Sequence, residues 1–338
     1  MTQKPPVGKL WGIVLAGGEG KRVRHFLQRL CGNRGIKQFC ALVDSRSMLE
    51  HTLARVERLI PRARILVVVS RQHRQEVTEQ LAHWPTDNVI FQPANCETGP
   101  GILLPLAHLS QRDPLATVAV FPSDHFIKDE DRFMACLQKA ITETNQFTEE
   151  LMLLGATPDK AEEGYGWIEA RRIEAGCASQ RVKRFWEKPS RMRAQILLRR
   201  NALWNTFVFV SQAATLWQMV RQAAPDLYAA FGKIRHALGS MQAERVTDCV
   251  YATLRSANFS SEICEPLSAR LRVFAVPEVG WSDWGSVERI LTSLKQMGKL
   301  EEDMARYTPG VGSRQIGEAD DLQYAKVKNA CVLEKLNE

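Results

Sequence analysis

The chain has 338 residues, of which 45% are hydrophobic, and its 45 Lys and Arg against 38 Asp and Glu give a net charge of +7. This length suffices for one large α/β domain with a smaller appendage. No apolar run reaches the ~20 residues that cross a bilayer, and the N-terminal segment lacks the pattern of a signal peptide, so we expect a cytoplasmic protein.

The first half of the chain alternates predicted strands with predicted helices. Short runs rich in β-branched residues predict strands over 10–15, 65–69, 89–91 and 117–121. Helical spacing of apolar residues predicts helices over 47–60, 74–81, 102–109 and 131–144. This alternation is typical of a largely parallel, doubly wound sheet, which binds ligands at the carboxyl ends of its strands.

The second half is less regular and predicts a mixed arrangement. Strands are expected over 152–156, 166–170, 182–187, 206–210 and 271–276, and helices over 191–200, 212–223, 226–238 and 286–297. The periodicity weakens after residue 299, and the last forty or so residues carry no predicted structure.

A glycine-rich turn, residues 15–22 (LAGGEGKR), follows the first predicted strand. Glycines let backbone N–H groups approach an anion, and Arg22 adds a cationic fork. The segment is not a P-loop, because Leu15 stands where that motif needs glycine and Arg22 stands where it needs serine or threonine. It is not a GxGxxG motif either. A tight strand-to-helix turn with no ligand is the alternative interpretation.

Two further charged residues belong to the same expected edge. Lys37 follows the glycine turn, and the two cations Arg22 and Lys37 would suit a triphosphate, although a lone lysine is usually only solvated. Asp124 follows a buried strand, where a metal or phosphate site is expected; the alternative is that it caps the next helix. For His125 we favour a structural role, because Mg²⁺ prefers oxygen ligands.

Aromatic residues stand beside polar ones at four places in the second half. Such clusters are typical of sugar sites, which combine apolar faces with converging hydrogen-bond groups, although each aromatic taken singly is expected in the core. Asp283 lies between two tryptophans and requires a partner, most simply a cation.

Taken in order, eight segments resemble the sugar nucleotidyltransferases, and most closely the mannose-1-phosphate guanylyltransferases, from about residue 10 to about residue 294. The segments are 15–22 (LAGGEGKR), 35–39 (GIKQF), 95–102 (NCETGPGI), 122–125 (PSDH), 165–169 (YGWIE), 186–189 (WEKP), 203–209 (LWNTFVF) and 280–286 (GWSDWGS).

The resemblance implies transfer of a nucleotidyl group, GMP from GTP, to mannose 1-phosphate, giving GDP-mannose and pyrophosphate. It implies catalytic roles for Arg22, Lys37, Asp124 and Asp283, with Mg²⁺ held by the two aspartates. It implies nucleotide contacts from Leu15, Ala16, Gly17, Gly18, Gly20, Thr98 and Ser123, and sugar-phosphate contacts from Gly166, Glu187, Lys188 and Asn205.

The chain departs from the family pattern at several positions. Ile36 replaces a proline, Cys96 stands where arginine is common, and the residues 206–208 (TFV) replace Ser-Gly-Met, which removes a small residue at the sugar segment. The alternatives are therefore a catalytically impaired, nucleotide-sugar-binding regulatory relative, or the same reaction with another base or sugar.

The resemblance implies a Rossmann-like α/β nucleotidyltransferase fold (GT-A-like) with a mixed central sheet. A catalytic domain would span 8–298, with a nucleotide half over about 8–150 and a sugar half over about 151–298, and 299–338 would form a short C-terminal extension.

If Asp124 and Asp283 share Mg²⁺, their carboxylates lie within about 4–5 Å of each other. Without the metal, their repulsion would raise the pKa of at least one. The positive charge is interpreted as dispersed along the chain, so we expect neither a nucleic-acid nor a membrane partner. A homodimer is possible.

Overall fold

The computed structural model describes residues 9–31 and 35–300. These residues fall into two compact units. Among the described residues, unit 1 consists of those up to Gly18 together with Ala54–Pro122 and Lys128–Val279. Unit 2 consists of the described residues of Glu19–Leu53, of Ser123–Ile127 and of the segment that begins at Gly280.

Unit 1 is built on a nine-stranded sheet. The strands are β1 (Leu10–Ala16), β2 (Ile65–Ser70), β3 (Val89–Gln92), β4 (Thr117–Pro122), β5 (Leu151–Ala156), β6 (Trp167–Ala170), β7 (Gln180–Trp186), β8 (Leu203–Gln212) and β9 (Leu271–Val276). Their order is β3-β2-β1-β4-β8-β5-β9-β7-β6. The first four strands pair in parallel, whereas β8 runs antiparallel to both β4 and β5.

The described residues also contain ten α-helices, besides shorter helical turns. They are α1 (Arg24–Cys31), α2 (Met48–Glu57), α3 (Arg74–Gln80), α4 (Thr98–Arg112), α5 (Glu130–Thr144), α6 (Arg191–Arg199), α7 (Ala213–Ala223), α8 (Pro225–Ala237), α9 (Ala243–Thr253) and α10 (Val287–Gln296). Helix α4 packs against β1, β2 and β3, and helix α5 packs against β5, β8 and β9. None of the helices in the described residues combines the length and apolar composition of a membrane span.

The sheet confirms the predicted α/β fold with a parallel first half and a mixed second half. β2 and β4 are buried along their whole length, as expected of strands covered on both faces. Strands of both predicted halves join one sheet, so the division at about residue 150 does not separate two sheets.

Helix α4 begins earlier than its apolar spacing predicts. Its first turn reads Thr-Gly-Pro-Gly, a sequence of low helix propensity. Tertiary contacts hold this turn: the Gly99 N–H donates to the Ala257 carbonyl at 2.8 Å, and a Cβ on Gly99 would stand 2.8 Å from the same oxygen. Local propensity is therefore overridden by a close backbone approach.

Each unit has its own apolar core. In unit 1, side chains of the sheet pack with those of α4, α7 and α8, and the Phe209 and Phe259 rings stack with centroids 5.2 Å apart. In unit 2, Phe26 and Leu27 of α1 pack with Ile290 and Leu294 of α10. The core of unit 2 thus joins segments more than 250 residues apart in sequence, and it positions the loops described next.

Candidate active site

A two-residue bridge in unit 2 joins the loop that follows β4 to the loop that precedes α10. Phe126 and Ser282 exchange backbone hydrogen bonds of 2.9 and 3.0 Å, and the Phe126 ring stacks on Trp284 at 4.8 Å. Asp124 and Asp283 lie within two residues of this bridge. The fold therefore brings together the loops of two aspartates that are far apart in sequence.

Lys37 connects these two loops. Its side chain is only 4% exposed, and Nζ lies 2.9 Å from Oδ2 of Asp124. The same ammonium donates to the backbone carbonyl of Asp283. Gly20, with a φ of 59°, packs against the Lys37 stem, where an added Cβ would lie 3.3 Å from the Lys37 Cβ. The end of the glycine turn is thereby fixed next to the buried lysine.

Both aspartates have a lowered pKa. Burial is the largest single effect and acts to raise the pKa of both aspartates. It is outweighed at Asp124 by Lys37 and His125 together, and at Asp283 by Lys37, Arg289 and His125 together. Repulsion from Asp283 does act to raise the pKa of Asp124. The expectation that at least one pKa is raised is therefore wrong, because the positive neighbours of the two aspartates together outweigh burial and mutual repulsion.

Asp283 is fixed by partners within unit 2. Its Oδ1 accepts hydrogen bonds from Arg289 at 2.6 Å and from the Gly285 N–H at 2.8 Å. A Cβ on Gly285 would stand 2.6 Å from Oδ2 of Asp283 and 2.9 Å from Nη2 of Arg22. Only glycine therefore fits at 285, and Arg22, whose side chain is exposed, ends beside the Asp283 carboxylate.

The alternative to a metal site is that Asp124 caps a helix and Asp283 pairs with an arginine, and only the second of these contacts is present. Asp283 does pair with an arginine, Arg289, as that alternative expects. Asp124 does not cap the next helix: Asp129 caps α5, accepting from the Arg132 N–H at 3.0 Å. Asp124 keeps a side chain that is 32% exposed, and so it remains available to a ligand.

The donor set of unit 2 suits a hard cation only in part. Two ionised carboxylates offer oxygen ligands, which Mg²⁺ prefers. Among the described residues, no group of three or more His, Cys, Asp or Glu side chains could hold a metal ion. Mg²⁺ commonly binds through one or two carboxylates and takes its other ligands from phosphates and water. Asp124 and Asp283 fit an ion of that kind, completed by a substrate.

Ser123, the residue before Asp124, is buried within unit 2. Its carbonyl accepts a hydrogen bond from the Thr52 hydroxyl at 3.2 Å. This contact ties the predicted nucleotide residue to helix α2, and so it fixes the backbone immediately before Asp124.

The predicted base-binding residues lie in unit 1 at the carboxyl end of β1. Leu15 and Ala16 end the strand, and Gly17 and Gly18 follow it. Gly17 lies against Gln92, the last residue of β3, since an added Cβ would meet Nε2 of Gln92 at 2.2 Å. Within the described residues, Oε1 of Gln92 is buried without a hydrogen-bond partner. A buried amide of this kind is costly unless a ligand satisfies it.

Thr98 has a structural contact in unit 1. Its hydroxyl oxygen accepts a hydrogen bond from the Phe259 N–H at 2.9 Å. The preceding residue, Glu97, has a φ of 71°, an uncommon conformation for a residue other than glycine. The start of α4 is thus tied to the segment around Phe259, and the Thr98 hydroxyl keeps its own hydrogen to donate.

Three of the predicted sugar residues converge in unit 1. A Cβ on Gly166 would stand 3.0 Å from Oε2 of Glu187 and 3.2 Å from the Asn205 Cβ. The Asn205 N–H also donates to the Gly166 carbonyl at 2.8 Å. Burial raises the pKa of Glu187. The Lys188 ammonium, 3.6 Å from the carboxylate, offsets only part of this increase. A glycine next to a buried carboxyl and an amide is suited to hydroxyl groups.

Two residues of this region have left-handed backbones. Lys188 has a φ of 45° and Phe207 has a φ of 61°. Phe207 stands in the segment where the resemblance expects glycine, and its N–H donates to Oδ1 of Asn205 at 3.1 Å. The backbone therefore keeps a conformation suited to glycine although the side chain is phenylalanine.

Comparison with known proteins identifies the family of the chain. Residues 11–299 match the family model described as nucleotidyl transferase. The chain belongs to the nucleotidyl transferase family. It is 30% identical over 290 residues to the mannose-1-phosphate guanylyltransferase of Escherichia coli (strain K12), a match that covers 82% of this chain and 58% of the relative. It is also 30% identical over 317 residues to that of Salmonella muenchen, covering 89% and 63%.

A solved structure shares the fold. The structure described as mannose-1-phosphate geranyltransferase from Thermus thermophilus is 26% identical, superposes with a TM-score of 0.72, and covers 84% of this chain and 79% of that one. The chain spans about 60% of the length of the curated relatives it matches.

Two residues next to predicted site residues were not predicted from the sequence, one in each unit. Gln92 ends a parallel strand, which is the same signal that singled out Asp124, and so that rule applied to β3 would have found it. Arg289 lies in the first turn of α10, six residues after Asp283. Nothing in its local sequence distinguishes it from the other arginines of the chain.

Proposed function

We propose that the chain transfers GMP from GTP to mannose 1-phosphate, releasing pyrophosphate and forming GDP-mannose. The arrangement around Lys37 carries this proposal. A buried ammonium contacts the Asp124 carboxylate and the Asp283 loop, and the Arg22 guanidinium ends beside Asp283. Alternating cations and carboxylates of this kind suit phosphate groups and the cation that accompanies them.

The reaction requires little proton chemistry from the protein. A phosphate oxygen of the sugar 1-phosphate is already anionic at neutral pH, so it attacks the α-phosphorus without a general base, and the bond to the pyrophosphate oxygen breaks. The task of the protein is to position two polyanions in line and to offset their repulsion. Arg22 and Lys37 would stabilise the charge that moves onto pyrophosphate, and Glu187 and Asn205 would orient the hexose through its hydroxyls.

Asp124 and Asp283 would hold Mg²⁺. When bound, the ion would supply electrostatic stabilisation of the phosphate oxygens. The lowered pKa of each aspartate supports this role, since both side chains stay ionised and able to accept a cation at neutral pH. Lys188, beside Glu187 and with a 56% exposed side chain, would bind the phosphate of the sugar substrate.

Gln92 offers the base a hydrogen-bond partner. Its Oε1 is an acceptor without a partner in the described residues, and it lies near the Gly17 turn that is expected to hold the base. The amino group of guanine would satisfy this oxygen, as would that of adenine or cytosine, so the choice of guanine rests on the relatives. The relatives named mannose-1-phosphate guanylyltransferase support the same base and the same sugar.

A pyrophosphate-release screen tests the proposal. GTP, ATP, CTP, UTP and dTTP are each combined with the 1-phosphates of mannose, glucose and galactose in the presence of Mg²⁺. The highest turnover is expected for GTP with mannose 1-phosphate. Turnover with only UTP or dTTP would overturn the assignment of the base but not that of the reaction. GTP binding with no turnover on any sugar would favour the regulatory relative, to which the residue Phe207 at the sugar segment also points.

Arg22 provides a matched test within the same turn. Arg22→Ala removes a forked cation from a charge-dense transition state, so kcat should fall roughly 10²–10³-fold. Lys21→Ala is the control, because Lys21 is 77% exposed and pairs with Glu19 at 3.0 Å. If both variants keep the kcat of the parent, Arg22 is a solvated surface residue.

A further inference from the structure

The exposed positive charge of unit 1 is concentrated in one segment. Residues 171–200 contain ten Lys and Arg against two Asp and Glu, a net charge of +8, whereas the whole chain carries +7. All ten cationic side chains are exposed. The expectation that the positive charge is dispersed does not hold for this segment, much of which forms β7 and α6.

Four of these cations contact two side chains, Trp186 and Glu169. Arg184 and Arg193 both lie over the Trp186 ring, at 3.8 and 4.6 Å from its centroid. Lys183 and Arg200 both contact Oε1 of Glu169, at 2.9 and 3.3 Å. We call the four cations Lys183, Arg184, Arg193 and Arg200 the basic surface. One carboxylate, Glu169, faces them, so a charge of about +3 remains uncompensated there.

The basic surface lies on the side of β7 away from the candidate sugar residues. Successive side chains of a strand point to opposite faces, except where the register shifts. The β6–β7 pairing shifts at Glu169, so Lys183 and Arg184 both stand opposite that residue. Glu187 lies against Gly166 on one face, whereas Trp186 and Arg184 occupy the other. The two functions are therefore separable by mutation, and the proposed catalytic activity does not account for the basic surface.

An exposed apolar residue accompanies these cations. Met192, in the first turn of α6, is 74% exposed and stands between Arg191 and Arg193 in sequence. Ile173, which follows two arginines, is 63% exposed. Cations interleaved with exposed apolar side chains are typical of proteins that lie on anionic bilayers. Nucleic-acid binding would favour an exposed aromatic for stacking, but two guanidinium groups cover Trp186.

We propose that the basic surface binds the headgroups of an anionic lipid bilayer, with Met192 entering the interface. Attraction between Lys or Arg and acidic lipids acts within about a Debye length, which is about 8 Å at physiological ionic strength. The association is peripheral and reversible, and it would hold the enzyme at a membrane surface without a spanning segment.

The test is co-sedimentation of the full chain with vesicles. We expect binding to phosphatidylcholine vesicles that contain about 30% phosphatidylglycerol, no binding to phosphatidylcholine alone, and release at about 1 M salt, where the Debye length is about 3 Å. Each cation near an anionic surface contributes about a fivefold factor. The triple variant Lys183→Gln, Arg184→Gln, Arg193→Gln should therefore bind about 10²-fold more weakly.

A second triple variant removes the same charge elsewhere. Arg132, Lys139 and Lys233 are exposed cations outside 171–200, and their change to Gln should leave vesicle binding within about fivefold of the parent. Met192→Ser should weaken vesicle binding severalfold while leaving the net charge unchanged. Both triples should retain the pyrophosphate-release activity of the parent, which also shows that they fold.

Three outcomes would overturn the proposal. Equal losses in the two triple variants would mean that net charge alone, and not the basic surface, attracts the vesicles. Binding of an RNA or DNA oligonucleotide with no binding of anionic vesicles would assign the surface to nucleic acid. Absence of vesicle binding in the parent at low salt would remove the basis of the proposal altogether.

Discussion

Replacing Lys37 by methionine tests the central contact of unit 2. The change keeps an unbranched apolar stem but removes the ammonium that contacts the Asp124 carboxylate and the Asp283 carbonyl. The two aspartates then lose the cation whose charge lowers the pKa of each. An uncompensated pair of carboxylates remains in a largely buried setting.

The loss of stability follows from the burial of the two partners. Breaking a buried ion pair by removing one partner costs about 3–5 kcal/mol. The Lys37 side chain is 4% exposed, but that of Asp124 is 32% exposed, so water screens part of the remaining charge. We therefore expect Lys37→Met to lower the free energy of unfolding by about 2 kcal/mol, and Tm by about 4–8 °C.

Urea denaturation and thermal melting of the full chain without Mg²⁺ would measure this loss. The double variant Lys37→Met, Asp124→Asn removes both charges, so it should recover part of the stability, with a coupling of about 1–3 kcal/mol. Turnover should stay low in the double variant, because the cation expected to bind phosphate is still absent. Additive losses in the two single variants would refute the reasoning, since they would show that the charges do not interact.

Three further predictions concern other positions. Burial, assisted by Arg112, lowers the pKa of His108 to about 4. Because the unfolded state takes up the proton more readily, the free energy of unfolding falls as the pH drops from about 6.5 to 4. In urea titrations at pH 5, the His108→Gln variant should lose about 1–2 kcal/mol less of this free energy than the parent. Phe207→Gly should be more stable to urea than Phe207→Ala, reversing the usual order, because the φ of 61° penalises any Cβ by about 1 kcal/mol or more. Lys188→Ala should raise the KM for the sugar phosphate much more than the KM for the nucleotide; equal effects on both would assign Lys188 a structural role.

The sheet could be predicted from sequence because its signals are local. Each strand from β1 to β4 is a short apolar run that ends at a turn, and the structure places each within one or two residues of its prediction. Helices α1 and α9 were not predicted. Helix α1 carries three buried apolar residues, Phe26, Leu27 and Leu30, among polar ones, which is too short a pattern to distinguish from a loop.

The candidate site was predictable in its residues but not in its contacts. The motifs selected Lys37, Asp124 and Asp283, and the bridge between Phe126 and Ser282 brings their loops together. The burial of Lys37 could not be predicted, because it depends on packing between segments separated by about 250 residues. The lowered pKa of both aspartates could not be predicted for the same reason: the sequence shows two carboxylates that would repel each other, but not the cations that the fold places beside them.

The two aspartates are therefore unequal partners. Asp283 is 15% exposed, its Oδ1 is held by Arg289 and the Gly285 N–H, and its carbonyl accepts from Lys37, so its geometry is fixed before any ligand binds. Asp124 is 32% exposed and has Lys37 on one oxygen. A preorganised carboxylate limits the reorganisation that binding requires, whereas a more accessible one can meet the incoming cation and phosphate. If the two aspartates hold a cation, we therefore expect Asp283 to set the geometry and Asp124 to be the more accessible carboxylate.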